Sequence, residues 1–191
     1  MPARIAGSFT AAPPGWADHV MPLMILRHLL SIVLLPFMVV LIIPRWLLRA
    51  WSVSDTRWID GTVTASLSHL AGIVIFLAGF GLFAWCVSLF ARVGQGTLAP
   101  WDPTRRLVAV GPYRYVRNPM ITGVLTMLVG ETFFLGSRVI AIWAATFMAV
   151  NQVYFMLLEE PGLERRFGTV YREYKLAVPR WIPRATPWKN A

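Results

Sequence analysis

Four long apolar segments divide the chain, each bounded by charged and aromatic residues. They run over residues 23–43, 67–91, 120–135 and 139–158. A helix needs about 20 predominantly apolar residues to cross the hydrocarbon core of a bilayer. Pro36, in the middle of the first segment, predicts a kink there. The pattern therefore predicts an all-α fold, a polytopic membrane helical bundle with about four transmembrane helices.

Only three residues, 136–138, separate the third segment from the fourth. A connection this short joins antiparallel helices, so these segments are predicted to form a C-terminal helical hairpin followed by a cytosolic tail. Small residues recur at helical spacing, which predicts faces where helices approach closely. These residues are Gly72 and Gly79, Gly123 and Gly130, and Ala141, Ala145 and Ala149.

The same pattern divides the chain into three parts. Residues 1–22 contain a Pro-Pro-Gly sequence and are predicted to be an irregular N-terminal leader. Residues 23–91 hold the first two transmembrane helices. Three tryptophans in the connection at residues 44–66 predict that it lies in the membrane interface. Residues 92–191 hold a cytosolic loop, the hairpin and the tail.

Composition agrees with membrane residence. Of the 191 residues, 57% are hydrophobic and 14% are charged, which is far more apolar than a soluble domain. The net charge of +9 lies beside uncharged stretches rather than on a soluble basic face, so nucleic-acid binding is not expected. Cys86 and the three histidines have no ligand-like spacing, so no metal is expected.

Lysines and arginines in the connections indicate orientation, because they favour the cytoplasmic side. Residues 92–118 carry five arginines against one aspartate, and the tail after Leu158 carries seven basic residues against four acidic ones. Both are predicted to face the cytosol. The arginines of residues 44–66 point to the opposite orientation, but the tryptophans among them predict a surface-lying segment. We expect a protein of the bacterial inner (cytoplasmic) membrane.

A basic, aromatic segment leads into the third helix. It is GPYRYVRNPMITG, residues 111–123, which we call the doorway segment. Pro119 at the first helical position leaves backbone N–H groups free to face an anion, and nearby arginines can pair with a carboxylate or phosphate. Antiparallel pairing of the hairpin brings the doorway segment next to Glu159 and Glu160, which suit an ammonium, a hydroxyl pair or a sulfonium. The combination predicts a site for a zwitterionic ligand, although each residue singly also fits ordinary membrane-protein composition.

Two motifs carry a resemblance to a known family. TRRLVAVGPYRYVRNPMITG, followed after one hairpin by EEPGLERRFGTVYREYKLAVPRWIP, resembles the isoprenylcysteine carboxyl methyltransferases and their relatives among phospholipid N-methyltransferases. The resemblance covers about residues 92–184 and implies an integral-membrane methyltransferase that uses S-adenosyl-L-methionine. The implied cofactor contacts are Arg105, Arg106, Leu107, Val108, Tyr113, Asn118, Pro119, Met120, Ile121, Glu159 and Glu160.

Within that resemblance we hypothesise catalytic roles for two residues. Arg117, with the helix N-terminus, would hold the anionic part of the cofactor or substrate, and Glu159 would hold a cofactor hydroxyl or ammonium. Methyl transfer from a sulfonium is an in-line displacement, so alignment in a dry pocket supplies most of the acceleration. The lipophilic or small-molecule methyl acceptor would enter sideways from the membrane lipid.

Polar residues inside the hairpin add two further expectations. Glu131 is either a functional candidate or the partner of Arg138 near the outer turn. Asn151 and Phe155 are the predicted substrate-binding residues. Asn151 equally fits a hydrogen bond across helices.

The chain departs from the family pattern at three places. Asn118 replaces the usual histidine, which excludes a titrating base there, and Ile121 replaces a tyrosine. Residues 154–156 occupy the region where prenylcysteine enzymes have an arginine, so a prenylcysteine carboxylate is not the expected substrate. Two alternatives are a methyltransferase for a small thiol or amine and a non-enzymatic membrane carrier or lipid- or partner-binding protein.

Overall fold

The computed structural model describes residues 34, 36–51, 62–89, 92 and 107–189. These residues form helices, turns and irregular segments but no β-sheet, so the predicted all-helical class is confirmed. The predictions for the leader, residues 1–22, and for Arg105 and Arg106 lie outside the described residues. The division into three parts stays a prediction.

The described residues form a series of helical elements. They are a π-helical turn, Met38–Ile42; α1, Ile43–Ala50; α2, Thr62–Leu89; a 3₁₀ turn, Gly111–Arg114; α3, Pro119–Leu135; α4, Arg138–Tyr154; a second π-helical turn, Phe155–Glu159; and α5, Glu160–Ala177. The predicted segments at 67–91 and 120–135 correspond to α2 and α3, with small differences at their ends.

Within the part of the chain that the structure describes, two helical stretches are long and apolar enough to cross a membrane, Val63–Leu89 and Arg138–Ala177. In the second stretch, the uncharged part is residues 139–158, and Glu160 lies beyond it. α3 is apolar but shorter, at 17 residues, near the lower limit for a crossing. The first predicted segment is described only at residue 34 and from residue 36 onward, so the total of four crossings stays a prediction.

The predicted glycine faces of α2 and α3 meet in an antiparallel seam. A β-carbon on Gly79 would lie 2.7 Å from both the carbonyl oxygen of Gly123 and the backbone nitrogen of Met127. A β-carbon on Gly130 would lie 2.8 Å from the carbonyl oxygen of Gly72. Such distances allow no side chain, so the two backbones touch directly, as small residues permit in membrane helices.

α4 packs through a different face from the predicted alanine face. Ala145 and Ala149 are exposed, whereas Ala144 is buried in a core shared with α3 and the N-terminal helical residues. Trp143 Nε1 also donates a hydrogen bond to the carbonyl oxygen of Val39, at 3.0 Å. The alanine prediction is therefore wrong at positions 145 and 149. The neighbouring helices, rather than spacing alone, determine which face is buried.

The predicted hairpin between α3 and α4 is confirmed. Gly136 adopts a φ of +59° at the C-terminus of α3, and Ser137 caps α4 by accepting a hydrogen bond from Ile140 N at 3.3 Å. Glu131 and Arg138 form no ion pair among the described residues. Arg138 is exposed, while one carboxylate oxygen of Glu131 is buried and accepts no hydrogen bond from the described residues.

α5 is interrupted at Gly168, where φ is +57° and ψ is −129°. Lys175 Nζ lies 3.3 Å from Glu160 Oε2. A straight helix would separate residues at this sequence distance by about 22 Å. The second half of α5 is therefore folded back toward the first, which brings its side chains to the start of α3.

Candidate functional site

Glu160 lies at the centre of a buried charge cluster where α5 meets the doorway segment. Its side chain is 6% exposed, and Oε1 accepts hydrogen bonds from Arg117 Nη1 and Arg180 Nε, both at 2.7 Å. Lys175 Nζ lies 3.3 Å from Oε2. We call these four residues the Glu160 cluster. One carboxylate faces three cations, so the cluster carries a net positive charge.

The protonation of Glu160 follows from these contacts. Burial alone would raise the pKa of its carboxyl group, but the hydrogen bond from Arg180 and the positive charge of Arg117 outweigh burial. The pKa consequently lies below its ordinary value, and Glu160 is ionised at neutral pH. The negative charge of Glu160 is thus already balanced by cations of its own chain.

The C-terminal residues after α5 run beside the doorway segment. We call residues 178–188 the tail segment. Its backbone is hydrogen-bonded to the doorway backbone at three places: Arg117 N donates to Pro179 O at 2.9 Å, Arg184 N to Tyr115 O at 3.0 Å, and Trp188 N to Arg114 O at 2.9 Å. The tail segment therefore forms one unit with the residues that lead into α3.

Glu159 occupies a different position from Glu160. It is partly exposed, and its Oε2 accepts a hydrogen bond from Tyr154 Oη at 3.4 Å. The π-helical turn that ends at Glu159 changes the angular spacing of side chains between α4 and α5. The structure therefore joins Arg117 to Glu160, while Glu159 keeps a carboxylate accessible to a ligand.

Several of the predicted cofactor contacts lie in hydrophobic cores. Tyr113 is 7% exposed and packs with Val108 and Cys86, and Met120 lies against the same core. Leu107 packs against a second core, formed by Tyr171 and Tyr174 of α5 and by Val178. Burial raises the pKa of Tyr113 well above its usual value, so its hydroxyl stays protonated at neutral pH. These side chains are thus occupied by packing within the protein.

The start of α3 bears on the predicted anion site, which stays a prediction. Pro119 is fully buried at the first helical position, and the first turn holds no acidic residue. The Asn118 side chain makes no capping hydrogen bond, while its carbonyl oxygen accepts hydrogen bonds from Thr122 N at 3.0 Å and Thr122 Oγ1 at 2.9 Å. Ile121 is partly buried in the same turn. The helix N-terminus is therefore uncapped by a side chain.

The predicted acceptor residues have contacts within the protein. Asn151 Nδ2 donates to the carbonyl oxygen of Phe147 in its own helix at 2.8 Å, so its amide nitrogen makes a local bond rather than one across helices. Phe155 is 8% exposed and packs edge-on against Trp181 of the tail segment, with ring centroids 5.7 Å apart. Trp181 Nε1 donates to Gln152 Oε1 at 2.7 Å. This part of α4 is covered by the tail.

Sequence reasoning did not identify Lys175, Arg180 or Trp181. Lys175 reaches Glu160 only because α5 folds back at Gly168, and Arg180 reaches it from an irregular segment. The one available signal was charge, since a buried glutamate needs cationic partners and the tail contains unassigned arginines. No helical or strand periodicity could have selected among them.

Comparison with known proteins supports the motif resemblance. A family model described as phospholipid methyltransferase matches residues 67–170, more than half of the chain. The matched region includes most of α2, which the motif resemblance did not cover, and ends before the tail segment. Searches of curated proteins and of solved structures find no match. The chain belongs to the phospholipid methyltransferase family, whose members are integral-membrane methyltransferases that use S-adenosylmethionine.

Proposed function

We propose that this enzyme methylates the amine headgroup of a membrane phospholipid at the face where the doorway and tail segments meet. The family implies a lipid acceptor, and the amine is the nucleophilic group that a phospholipid headgroup offers to a methyl donor. Family membership also sets aside the non-enzymatic carrier alternative. We propose that this face is cytosolic, because the doorway and tail segments are rich in arginine.

One observation carries the proposal: Arg117 of the first motif pairs with Glu160 of the second at 2.7 Å. Residues more than 40 positions apart are thus joined at one end of the hairpin. The two motifs that resemble a methyltransferase site therefore belong to a single local structure. Membrane-embedded enzymes need such a structure at the interface, where a soluble cofactor and a lipid can meet.

The residues present fit the cofactor. Arg117 Nε is buried and has no hydrogen-bond partner among the described residues, and the N-terminus of α3 is uncapped by a side chain. Both features favour a carboxylate such as that of the methionine part of S-adenosylmethionine. Glu159 is available for an ammonium or ribose hydroxyl. Arg105 and Arg106, outside the described residues, remain proposed contacts.

We assign different roles to the remaining predicted contacts. Asn118, Met120 and Ile121 lie at the uncapped end of α3 and are proposed to border the cofactor. Tyr113 and Val108 are buried in the core behind it, so we propose that they support the site. Glu160 is proposed to hold Arg117, since its carboxylate is already bound by three cations.

Catalysis on this scheme depends on positioning. S-adenosylmethionine supplies, when bound, a methyl group activated by its positively charged sulfur. Holding both reactants in line is worth roughly 7–11 kcal/mol in well-oriented reactions, without a covalent enzyme intermediate. Asn118 can orient a neutral amine by accepting a hydrogen bond, but its amide cannot take up the proton, which the methylated ammonium releases to water after it leaves the site. The chain thus acts by binding, orienting and excluding water.

The lipid side of α4 supports lateral entry of the acceptor. Val150, Val153 and Leu157 are 60%, 55% and 66% exposed and form an apolar surface that leads toward Glu159. In a bilayer this surface faces acyl chains. We propose that a phospholipid moves along it, with Asn151 and Phe155 behind this surface, and brings its headgroup to the site.

An acceptor panel tests the proposed function. Purified protein in mixed micelles is expected to transfer labelled methyl groups to phosphatidylethanolamine. Transfer to a small soluble amine or to prenylcysteine should be less than about a tenth as fast, because acceptor binding uses the lipid-facing surface. The measurement is labelled product separated by lipid extraction. Equal transfer to the small amine, or a preference for prenylcysteine, would contradict a phospholipid acceptor.

Glu159 can be tested separately from the acceptor. Glu159→Gln should weaken S-adenosylmethionine binding about tenfold in a calorimetric titration, a difference of about 1.4 kcal/mol, because a charged hydrogen-bond acceptor is lost. Glu173→Gln removes an exposed glutamate from α5 and serves as the matched control, with unchanged affinity expected. If both variants bind like the original protein, the role assigned to Glu159 is wrong.

A further inference from the structure

Three consecutive tail residues each contact a different part of the proposed site. Pro179 accepts a hydrogen bond from Arg117 N at 2.9 Å. Arg180 Nε donates to Glu160 Oε1 at 2.7 Å, and Trp181 Nε1 donates to Gln152 Oε1 at 2.7 Å. The tail segment therefore connects the doorway segment, the start of α5 and the end of α4 through adjacent residues.

Glu160 forms the ion pair that restrains the Arg117 guanidinium, and the Tyr171 hydroxyl is a second polar neighbour. Arg117 Nη1 bonds to Glu160 Oε1, and its Nε is buried with no hydrogen-bond partner among the described residues. A guanidinium has a fixed planar geometry, so fixing one nitrogen largely fixes the direction of the others. The position of the Glu160 carboxylate therefore determines the direction in which Arg117 Nε points.

Arg180 is the closer of the two other restraints on Glu160. Its Nε shares Oε1 with Arg117 at 2.7 Å, and its side chain is 18% exposed. Lys175 lies farther from the carboxylate, at 3.3 Å, is 34% exposed, and is shared with Glu164 at 3.4 Å. Short hydrogen bonds to a buried charge are the strong ones, so Arg180 contributes more to the position of the carboxylate.

We propose that Arg180 is a positioning residue for methyl transfer, which holds Glu160 and, through it, Arg117 in the orientation that binds the ligand. This inference rests on the proposed function and deepens it. The family model ends at residue 170, so Arg180 lies outside the matched region. Residues 179–181 of the tail segment are on this view part of the site, since they contact both Arg117 and Glu160.

Arg180→Gln tests this role. The variant is expected to raise the KM for S-adenosylmethionine about tenfold and to lower kcat further, because Arg117 loses its fixed direction. Arg180→Lys keeps the positive charge, so its KM should lie between those of the original protein and Arg180→Gln. Arg184→Gln is the matched control: Arg184 lies in the same segment and donates to Ala177 O at 2.9 Å. Its removal should change KM by less than about twofold.

Two results would overturn the proposal. The first is an equal rise of KM in Arg180→Gln and Arg184→Gln. That result would show that the tail segment only stabilises the fold and that Arg180 has no specific positioning role. The second is an unchanged KM in Arg180→Gln. If that variant does not fold, Arg180→Met, which keeps most of the side-chain length without the charge, replaces it, and an unchanged KM there overturns the proposal in the same way. Calorimetric affinity for S-adenosylmethionine in the same variants separates this outcome from failure of the phospholipid acceptor, since it requires no acceptor.

Discussion

Gly79→Leu should prevent α2 from packing on α3 and abolish most of the folded protein. A β-carbon at this position would lie 2.7 Å from two backbone atoms of α3, in Gly123 and Met127. Overpacking normally costs about 1–3 kcal/mol when side chains can move. Backbone atoms of a helix cannot move aside, so we expect a loss of at least about 3 kcal/mol, a large part of the stability of a typical domain.

Gly81→Leu is the control for this prediction. Gly81 lies two residues away in the same helix, and a β-carbon there meets nothing within 4 Å. The measurement is the melting temperature and the monodisperse yield of both variants in detergent. Gly81→Leu should match the original protein. Similar melting temperatures for the two variants would show that the glycine seam does not hold the helices together.

Glu160→Ala should abolish cofactor binding and strongly destabilise the site. Its removal leaves Arg117, Arg180 and Lys175 without their shared carboxylate. Removing one partner from a buried ion pair costs about 3–5 kcal/mol, because the remaining charge is buried and uncompensated. We expect S-adenosylmethionine binding below detection by calorimetry and a clear fall in melting temperature.

Glu164→Ala provides the comparison. Glu164 lies on the same helix, is 35% exposed and contacts only Lys175 among the described ion pairs, at 3.4 Å. Exposed pairs of this kind contribute about 0–1 kcal/mol. A Glu160→Ala variant that bound the cofactor as well as Glu164→Ala would refute the central role of Glu160 and the pairing of the two motifs.

Hydropathy and steric necessity made much of the fold predictable. The length of the apolar segments identified α2, α3 and α4. The short connection at Gly136 identified the hairpin between α3 and α4. The glycine seam was predictable because only residues without a β-carbon allow two backbones to touch. The alanine face of α4 was not, because a methyl group is compatible with either a buried or an exposed surface, and Ala145 is in fact exposed.

Prediction of the site was limited by local irregularity. The sequence indicated that the doorway segment meets the glutamate pair, and Arg117 does contact Glu160. It could not show that Glu160 is the buried partner of Arg117 and Glu159 the partly exposed one. That difference follows from the π-helical turn at Phe155–Glu159, where the residue pattern does not differ from that of an α-helix. Lys175 and Arg180 were invisible for a related reason: each reaches the cluster across a break in regular structure.

The interruption at Gly168 has a stereochemical consequence. Its dihedral angles, +57° and −129°, are the mirror image of an extended conformation that ordinary residues adopt readily. A β-carbon there would meet nothing within 4 Å, so space is not the restriction. The restriction is the chirality of the residue, because an L-amino acid is strained at these angles, whereas a D-amino acid would fit. The ion pair between Lys175 and Glu160 thus depends on glycine, the one genetically encoded amino acid that is achiral.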